Sequence, residues 1–224
     1  MTVSVKICGI SSEEALEAAI EAGADFAGFV FFEKSPRHLS LPRAQTLARR
    51  AEGRIKTVAL TVNAGDEAIF PILDRVSPDF LQLHGEEGLE RMREIRCFST
   101  AGIIKAIKVS SPADVEAALD YEAEADILLF DTASPYPGAL PGGNGLTFDW
   151  QWLPKAGFMP DFMLSGGLNP ANVLTALEMS GAAAVDVSSG VESSPGVKDP
   201  ARIIDFIKAA KSFSRSSPAE PVAE

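Results

Sequence analysis

With 224 residues, 46% of them apolar, the chain can bury one substantial core, and a single domain of about 200 to 250 residues is an ordinary size for an α/β barrel. Its 31 acidic against 20 basic residues leave a formal net charge of −11, which argues against nucleic acid or an anionic membrane surface as a partner, since both need a cationic face. The two cysteines show no Cys-x-x-Cys or histidine spacing of a zinc site, and no run reaches the roughly 18 apolar residues of a membrane helix or has the layout of a leader peptide; a cytoplasmic protein without a structural metal is expected.

Taken in chain order, short β-branched runs alternate with longer stretches of helical periodicity. A strand over residues 3–8 is followed by a helix over 12–22, a strand over 26–31 by a helix over 42–51, and a strand over 56–62 by a helix over 66–76. The pattern continues with strand 80–83 and helix 87–95, strand 103–109 and helix 112–119, and strand 127–131 with a long link holding a short helix near Trp150. Strand 162–165 with helix 170–179 and strand 184–187 with helix 200–210 complete the series. Prolines stand at the first turn of several helices, where a missing N–H is harmless.

Strands nearly free of polar alternation, each followed by an amphipathic helix, predict a parallel sheet covered on both faces. Eight such units with right-handed crossovers close into a single parallel (β/α)8 TIM barrel. Residues 1–211 form this domain, and residues 212–224, without apolar periodicity, are expected to be a disordered tail.

In this fold the C-terminal ends of the strands and the loops that follow build the active site. The last two strand ends, "MLSGGLNPANV" and "AVDVSSGVESSPG", carry the most specific signal. Glycines there let backbone N–H groups approach an anion, and a short helix starting near Ser188 adds its positive end. Gly166, Gly167, Asp186, Ser188, Ser189 and Gly190 are therefore candidate ligand-binding residues, although any one glycine alone reads equally as a turn former.

Cys8 ends the first strand, with Gly9 after it and a capping-box pattern from Ser11 to Glu14. A lone cysteine is ordinarily inert packing, but here the thiol points at the barrel mouth, near a helix N-terminus that favours a thiolate. Cys97, before the fifth strand and so at the end opposite the mouth, is expected to be structural. Asp131 ends an otherwise apolar run and is either a loop cap or a buried acid. After it comes a link with four glycines and three prolines between Pro135 and Gly145, suited to a lid. In "FFEKSPRHLS", Arg37 is placed to take a carboxylate in a two-point hydrogen bond. Lys34 there reads as solvated, and His38 is open between surface and site; His84, at the end of the fourth strand, reads either as placed to reach a ligand or as a buried, hydrogen-bonded histidine.

The set "KICGI", "GFVFFEKSPRHL", "LQLHGEE", "KAI", "LLFD", "PGGNG", "FDW", "LSGGLNP" and "VDVSSGVESSPGVKD", running from Lys6 to Asp199, resembles the phosphoribosylanthranilate isomerase family of tryptophan biosynthesis. The resemblance implies a TIM barrel that performs an Amadori rearrangement of a phosphorylated aminosugar, with no cofactor and no metal, as a monomer or homodimer. It implies Cys8 as general base, Asp131 as general acid, Arg37 on the anthranilate carboxylate, and the backbone at Gly166, Gly167, Ser188 and Ser189 on the phosphate. One departure stands out: the glycine-rich loop has Asn144 where the family pattern has threonine. Other sugar-phosphate barrels, such as indole-glycerol-phosphate synthase or a histidine-pathway aminoaldose isomerase, and a non-catalytic phosphate-binding barrel are the competing readings.

Overall fold

A computed structural model of the chain describes residues 2–133, 142–143, 145–155 and 162–214. Eight parallel strands pair in sequence order and close on themselves: β1 (Ser4–Cys8), β2 (Phe26–Phe31), β3 (Lys56–Thr61), β4 (Phe80–Leu83), β5 (Gly102–Val109), β6 (Ile127–Thr132), β7 (Met163–Leu164) and β8 (Ala184–Val187). The closing pair is β1 with β8, in which Lys6 lies opposite Asp186. Helices α1 (Glu13–Glu21), α2 (Leu41–Ala51), α3 (Asp66–Val76), α4 (Leu89–Phe98), α5 (Pro112–Ala117), α6 (Trp152–Lys155), α7 (Val173–Ser180) and α8 (Pro200–Ser212) follow the strands in turn. A two-stranded hairpin, β9 (Glu192–Ser194) and β10 (Val197–Lys198), sits between β8 and α8.

The period-2 alternation of β1 shows how the strands divide their side chains. Val5 and Ile7 join the large apolar layer beneath the helices, whereas Cys8 packs with Val30 and Leu60 inside the barrel mouth. Lower in the barrel, Phe26, Val58, Ile104, Ala106, Leu129 and Met163 fill the interior as a second apolar cluster.

Several boundaries shift for local reasons. Helix α1 is capped by Ser12, whose hydroxyl accepts from Ala15 N–H at 3.2 Å, so the capping register expected from Ser11 and Glu14 is off by one. Helix α4 starts at Leu89 rather than at 87, because the Glu87 carboxylate turns back to accept from the N–H groups of Asn63 (2.6 Å) and Gly85 (2.8 Å). Helix α7 starts at Val173, after a turn in which Asn172 Oδ1 accepts from Asn169 N–H at 2.8 Å. Cys97 lies on the exposed face of α4 and packs no core. Ser212 ends α8 and Ser214 bridges to Thr2, while residues 215–224 of the expected disordered tail lie outside the described residues.

At the N-terminal floor of the barrel, three aspartates tie neighbouring strands together. Asp25, Asp79 and Asp126 immediately precede β2, β4 and β6. They accept from the backbone N–H of Val5 in β1 (2.7 Å), Thr57 in β3 (2.6 Å) and Ile103 in β5 (2.6 Å).

Candidate active site

Six of the eight strand ends deliver a polar or reactive group to the mouth. From β1 come Lys6 and Cys8, both buried; from β4, Gln82 and His84; from β6, Asp131; from β7, Ser165; from β8, Asp186; and the loop after β2 brings Arg37. Cys8, Arg37, His84, Asp131 and Ser188 line one cavity of about 60 Å³. A smaller one of about 20 Å³ adjoins it, lined by Gly166, Gly167, Ser188, Ser189 and the same Asp131. The predicted catalytic and ligand-binding residues thus converge, with the exceptions set out below.

Gly28 makes room for the thiol. A Cβ at this position in the middle of β2 would lie 3.1 Å from Cys8 Sγ and 3.3 Å from Lys6 Nζ, which is the close approach that a glycine inside a strand marks. Lys6 Nζ also donates to Asp186 Oδ1 at 2.9 Å, and Asp186 Oδ2 accepts from the Ser165 hydroxyl at 3.4 Å. Burial pushes the Cys8 thiol above its ordinary pKa, and the Lys6 ammonium opposes that push. Burial alone would lower Lys6, but the charges of Asp186 and Cys8 outweigh it and hold the ammonium above its usual value. The thiol of the unliganded protein is accordingly protonated at neutral pH, with a cation in place to stabilise the thiolate.

On the opposite side, Asp131 Oδ1 accepts from Thr132 N–H at 2.9 Å and Oδ2 lies 3.2 Å from His84 Nε2. His84 Nδ1 is 2.8 Å from the Gln82 amide nitrogen. If that amide donates, the ring proton sits on Nε2, facing Asp131. Both ring nitrogens of His84 therefore have protein partners, and the ring contacts the acid directly. Gly142 closes over this pair: a Cβ there would meet Asp131 Oδ2 at 2.8 Å and His84 Nε2 at 2.9 Å. Asn144 lies outside the described residues.

Arg37 is buried, and Glu192 holds it through two bonds, Nε to Oε1 at 2.7 Å and Nη2 to Oε2 at 2.8 Å. Its aliphatic stem passes Gly9, where a Cβ would come within 2.6 Å of Cδ, and the φ of +78° at Gly9 is itself in the left-handed region. The guanidinium lies against Gly143, where a Cβ would come within 2.6 Å of Nη1, and both residues line the larger cavity. Lys34 and His38 are exposed and line neither cavity.

The loops after β7 and β8 meet at the smaller cavity, which Gly166, Gly167, Ser188 and Ser189 line. At Gly166, with φ +89°, a Cβ would lie 2.8 Å from Thr132 N. Thr132 Oγ1 beside it is buried without a hydrogen-bond partner among the described residues. The expected helix near Ser188 is a single 3-10 turn, Ser189–Val191. Gly190 lines neither cavity; its Cα faces the carbonyl of Leu168, so its smallness serves loop packing. A wide cleft of about 840 Å³ at the floor, among Arg49, Glu52, Lys56 and Arg75, lies at the other end of the strands from Cys8 and Asp131.

Fold and mouth together are those of a TIM barrel with a thiol and a carboxyl group lining one cavity. A family model described as N-(5'phosphoribosyl)anthranilate (PRA) isomerase matches residues 5–209. The chain is 47% identical over 211 residues to the N-(5'-phosphoribosyl)anthranilate isomerase of Rhodopseudomonas palustris, covering 94% of this chain and 99% of that one. It is 50% identical over 211 residues to that of Paramagnetospirillum magneticum, covering 94% and 98%. Among solved structures, phosphoribosyl anthranilate isomerase from Thermotoga maritima superposes with a TM-score of 0.83 at 41% identity, covering 94% of this chain and all of that one. A phosphoribosyl anthranilate isomerase in complex with reduced 1-(o-carboxyphenylamino)-1-deoxyribulose 5-phosphate has a TM-score of 0.81 at 39% identity and the same coverage. The chain belongs to the N-(5'-phosphoribosyl)anthranilate isomerase family and is an isomerase of tryptophan biosynthesis.

Sequence reasoning missed Glu192, Lys198 and Gly28 as members of the site, and it placed Gln82 at a strand end without giving it a role. Gly28 had a signal, a glycine inside an apolar strand. Gln82 had one too, the only polar side chain within a four-residue strand.

Proposed function

We propose that the protein converts N-(5'-phosphoribosyl)anthranilate into 1-(2-carboxyphenylamino)-1-deoxyribulose 5-phosphate, with Asp131 as general acid and Cys8 as general base. The observation that carries this reading is the placement of Cys8 and Asp131 on one small cavity between a buried arginine and the two-loop cradle. Phosphate would lie on the backbone N–H groups of Gly166, Gly167, Ser188 and Ser189. The anthranilate carboxylate would take the free corner of Arg37.

In the reacting form, Asp131 holds a proton and Cys8 is a thiolate. Asp131 gives its proton to the ring oxygen as the C1'–O bond breaks, and the nitrogen lone pair forms the C1'=N bond of a cationic Schiff base. That cation acidifies the proton on C2', which Cys8 Sγ removes. The C2'–H electron pair becomes a C=C bond and the C=N pair returns to nitrogen, leaving the enolamine. The enolamine then takes a proton at C1' and loses its hydroxyl proton to become the ketone. The cycle ends with a thiol and a carboxylate, so one proton must return to Asp131 before the next turnover. The Schiff-base nitrogen adds a second positive charge to that of Lys6 near the sulfur, which favours ionisation with substrate bound rather than before it arrives. Gln82 and His84 hold Asp131 facing the ring oxygen.

The test is a fluorescence assay. Freshly prepared N-(5'-phosphoribosyl)anthranilate is added and the loss of its anthranilate emission followed. A rate no faster than the uncatalysed reaction would overturn the proposal and favour a barrel that only binds the phosphorylated ligand.

A further inference from the structure

The reading above uses Arg37 but leaves two buried charges beside it unexplained. Glu192 and Lys198, at the two ends of the β9–β10 hairpin, are 6% and 7% exposed. Lys198 Nζ donates to Glu192 Oε1 at 2.8 Å, to the Ser188 carbonyl at 2.9 Å and to the Ser188 hydroxyl oxygen at 3.2 Å. The Ser188 hydroxyl in turn donates to the Cys8 carbonyl at 3.1 Å. Gly196 N–H at the hairpin turn donates to Glu192 Oε2 at 3.2 Å, and the Glu192 carbonyl accepts from Arg202. One carboxylate therefore lies between two buried cations, one of them the arginine at the cavity and the other bonded to the cradle.

We infer that Glu192 is a positioning residue for carboxylate recognition: it binds one edge of the Arg37 guanidinium so that the remaining corner is presented to the substrate. The inference deepens the assignment of Arg37 to the anthranilate carboxylate and rests on it. Arginine has a planar fork of donors. With Nε and Nη2 bonded to Glu192, its plane and rotation are fixed, and Nη1, left without a hydrogen bond among the described residues, is the guanidinium nitrogen nearest to a Cβ at Gly143, at 2.6 Å, on the cavity that both residues line. Without the Glu192 charge, Arg37 would lose both bonds that fix its plane. Lys198, which burial already pushes below the usual lysine value, would lose the charge that opposes that push. Burial would raise the Glu192 carboxyl, but its bonds to Arg37 and Lys198 outweigh burial and hold it below the usual range, so it stays charged at neutral pH.

The test compares kcat/KM for two substrates, N-(5'-phosphoribosyl)anthranilate and N-(5'-phosphoribosyl)aniline, which lacks the carboxylate. The measured quantity is the ratio of the first to the second. Removing a charged hydrogen-bond network that serves only the carboxylate lowers this ratio about ten- to a hundredfold. Arg37→Met gives the fall expected of the carboxylate's own partner. Glu192→Gln gives a fall in the same direction, and the double variant falls no further than Arg37→Met alone.

If Arg37→Met lowers the ratio and Glu192→Gln lowers both rates equally, the hairpin is only structural and the inference fails while the Arg37 reading stands. If Arg37→Met leaves the ratio unchanged, the carboxylate reading fails and takes the inference with it. Should Glu192→Gln lose its native circular dichroism, Glu192→Asp is measured instead: it keeps the charge but withdraws it by one methylene. The same fall supports the inference and an unchanged ratio overturns it.

Discussion

At the floor of the barrel, Asp25, Asp79 and Asp126 turn their carboxylates onto the backbone of the preceding strand. At the mouth, Asp131 and Asp186 end or interrupt their strands and also face other side chains, His84 and Lys6, although Asp131 keeps one backbone donor, Thr132 N–H. The same residue type thus does two kinds of work, and the difference is one of partners rather than of burial alone. A floor aspartate replaces a missing ladder acceptor where a strand begins, so its charge is met by fixed N–H dipoles and by surface lysine or arginine such as Lys211 and Arg96. A mouth aspartate is held by groups that can exchange protons or move with a ligand. On the proposed reading the first set holds geometry, and Asp131 in the second changes charge during turnover.

That contrast is broken most directly at the two groups proposed to react. Asp131→Asn and Cys8→Ala are each expected to lower kcat by about a hundred- to ten-thousandfold, the usual worth of a positioned acid or base, and to leave the thermal transition close to that of the parent chain. Steady-state fluorescence kinetics beside a melting curve measure both. A Cys8→Ala protein retaining full activity would remove Cys8 from the mechanism.

Next in size is Lys6→Met. It deletes one partner of a buried pair and leaves Asp186 without its counter-ion, a loss of about 3 to 5 kcal/mol in stability by denaturant titration. It also removes the charge that opposes burial at Cys8. Burial holds the thiol pKa above its ordinary value and Lys6 lowers it, so without Lys6 the thiolate appears at still higher pH. In a Cys97→Ser background, thiolate absorbance near 240 nm should show an upward-shifted midpoint, and the acidic limb of kcat/KM should move the same way. An unmoved midpoint would mean that Lys6 serves Asp186 alone. The sign carries over to stability: the folded thiol keeps its proton to higher pH than the unfolded one, so stability falls as pH rises from the unfolded midpoint to the folded one.

Much of this was legible from residues in a row. Eight apolar runs with intervening periodicity defined the barrel, and three strands, β2, β4 and β8, have the expected limits. Strand ends placed Cys8, Asp131 and the cradle at one mouth, because in a parallel barrel every strand end points the same way. What escaped was contact between segments far apart in the chain. Arg37 and Glu192 are separated by 155 residues, and Lys6 and Asp186 by 180. No local pattern tells a charge in a glycine-rich loop that faces inward from one that faces water. Glu87 was misread for a related reason: a glutamate at an expected helix start resembles a first-turn acid, yet its carboxylate caps the loops after β3 and β4. The floor aspartates had a short signature, Ala-Asp-Phe, Pro-Asp-Phe and Ala-Asp-Ile before successive even-numbered strands, and it becomes meaningful only once the strand pairing is known.

The smallest expected effect tests the other half of the comparison. Asp79 Oδ2 accepts from both the N–H and the hydroxyl of Thr57, at 2.6 and 3.0 Å. The residue itself is exposed, so water can take over part of what the carboxylate supplies, and Asp79→Ala should lower stability by only about 1 kcal/mol. Since β3 and β4 stay paired through the rest of their register, from Val58 with Phe80 to Thr61 with Leu83, the mouth should not feel the change. The kcat/KM of Asp79→Ala is expected to equal that of the parent chain below its melting transition. A fall of tenfold or more would show that strand order at the floor sets geometry at the mouth, and would end the division of labour between the two ends of the barrel.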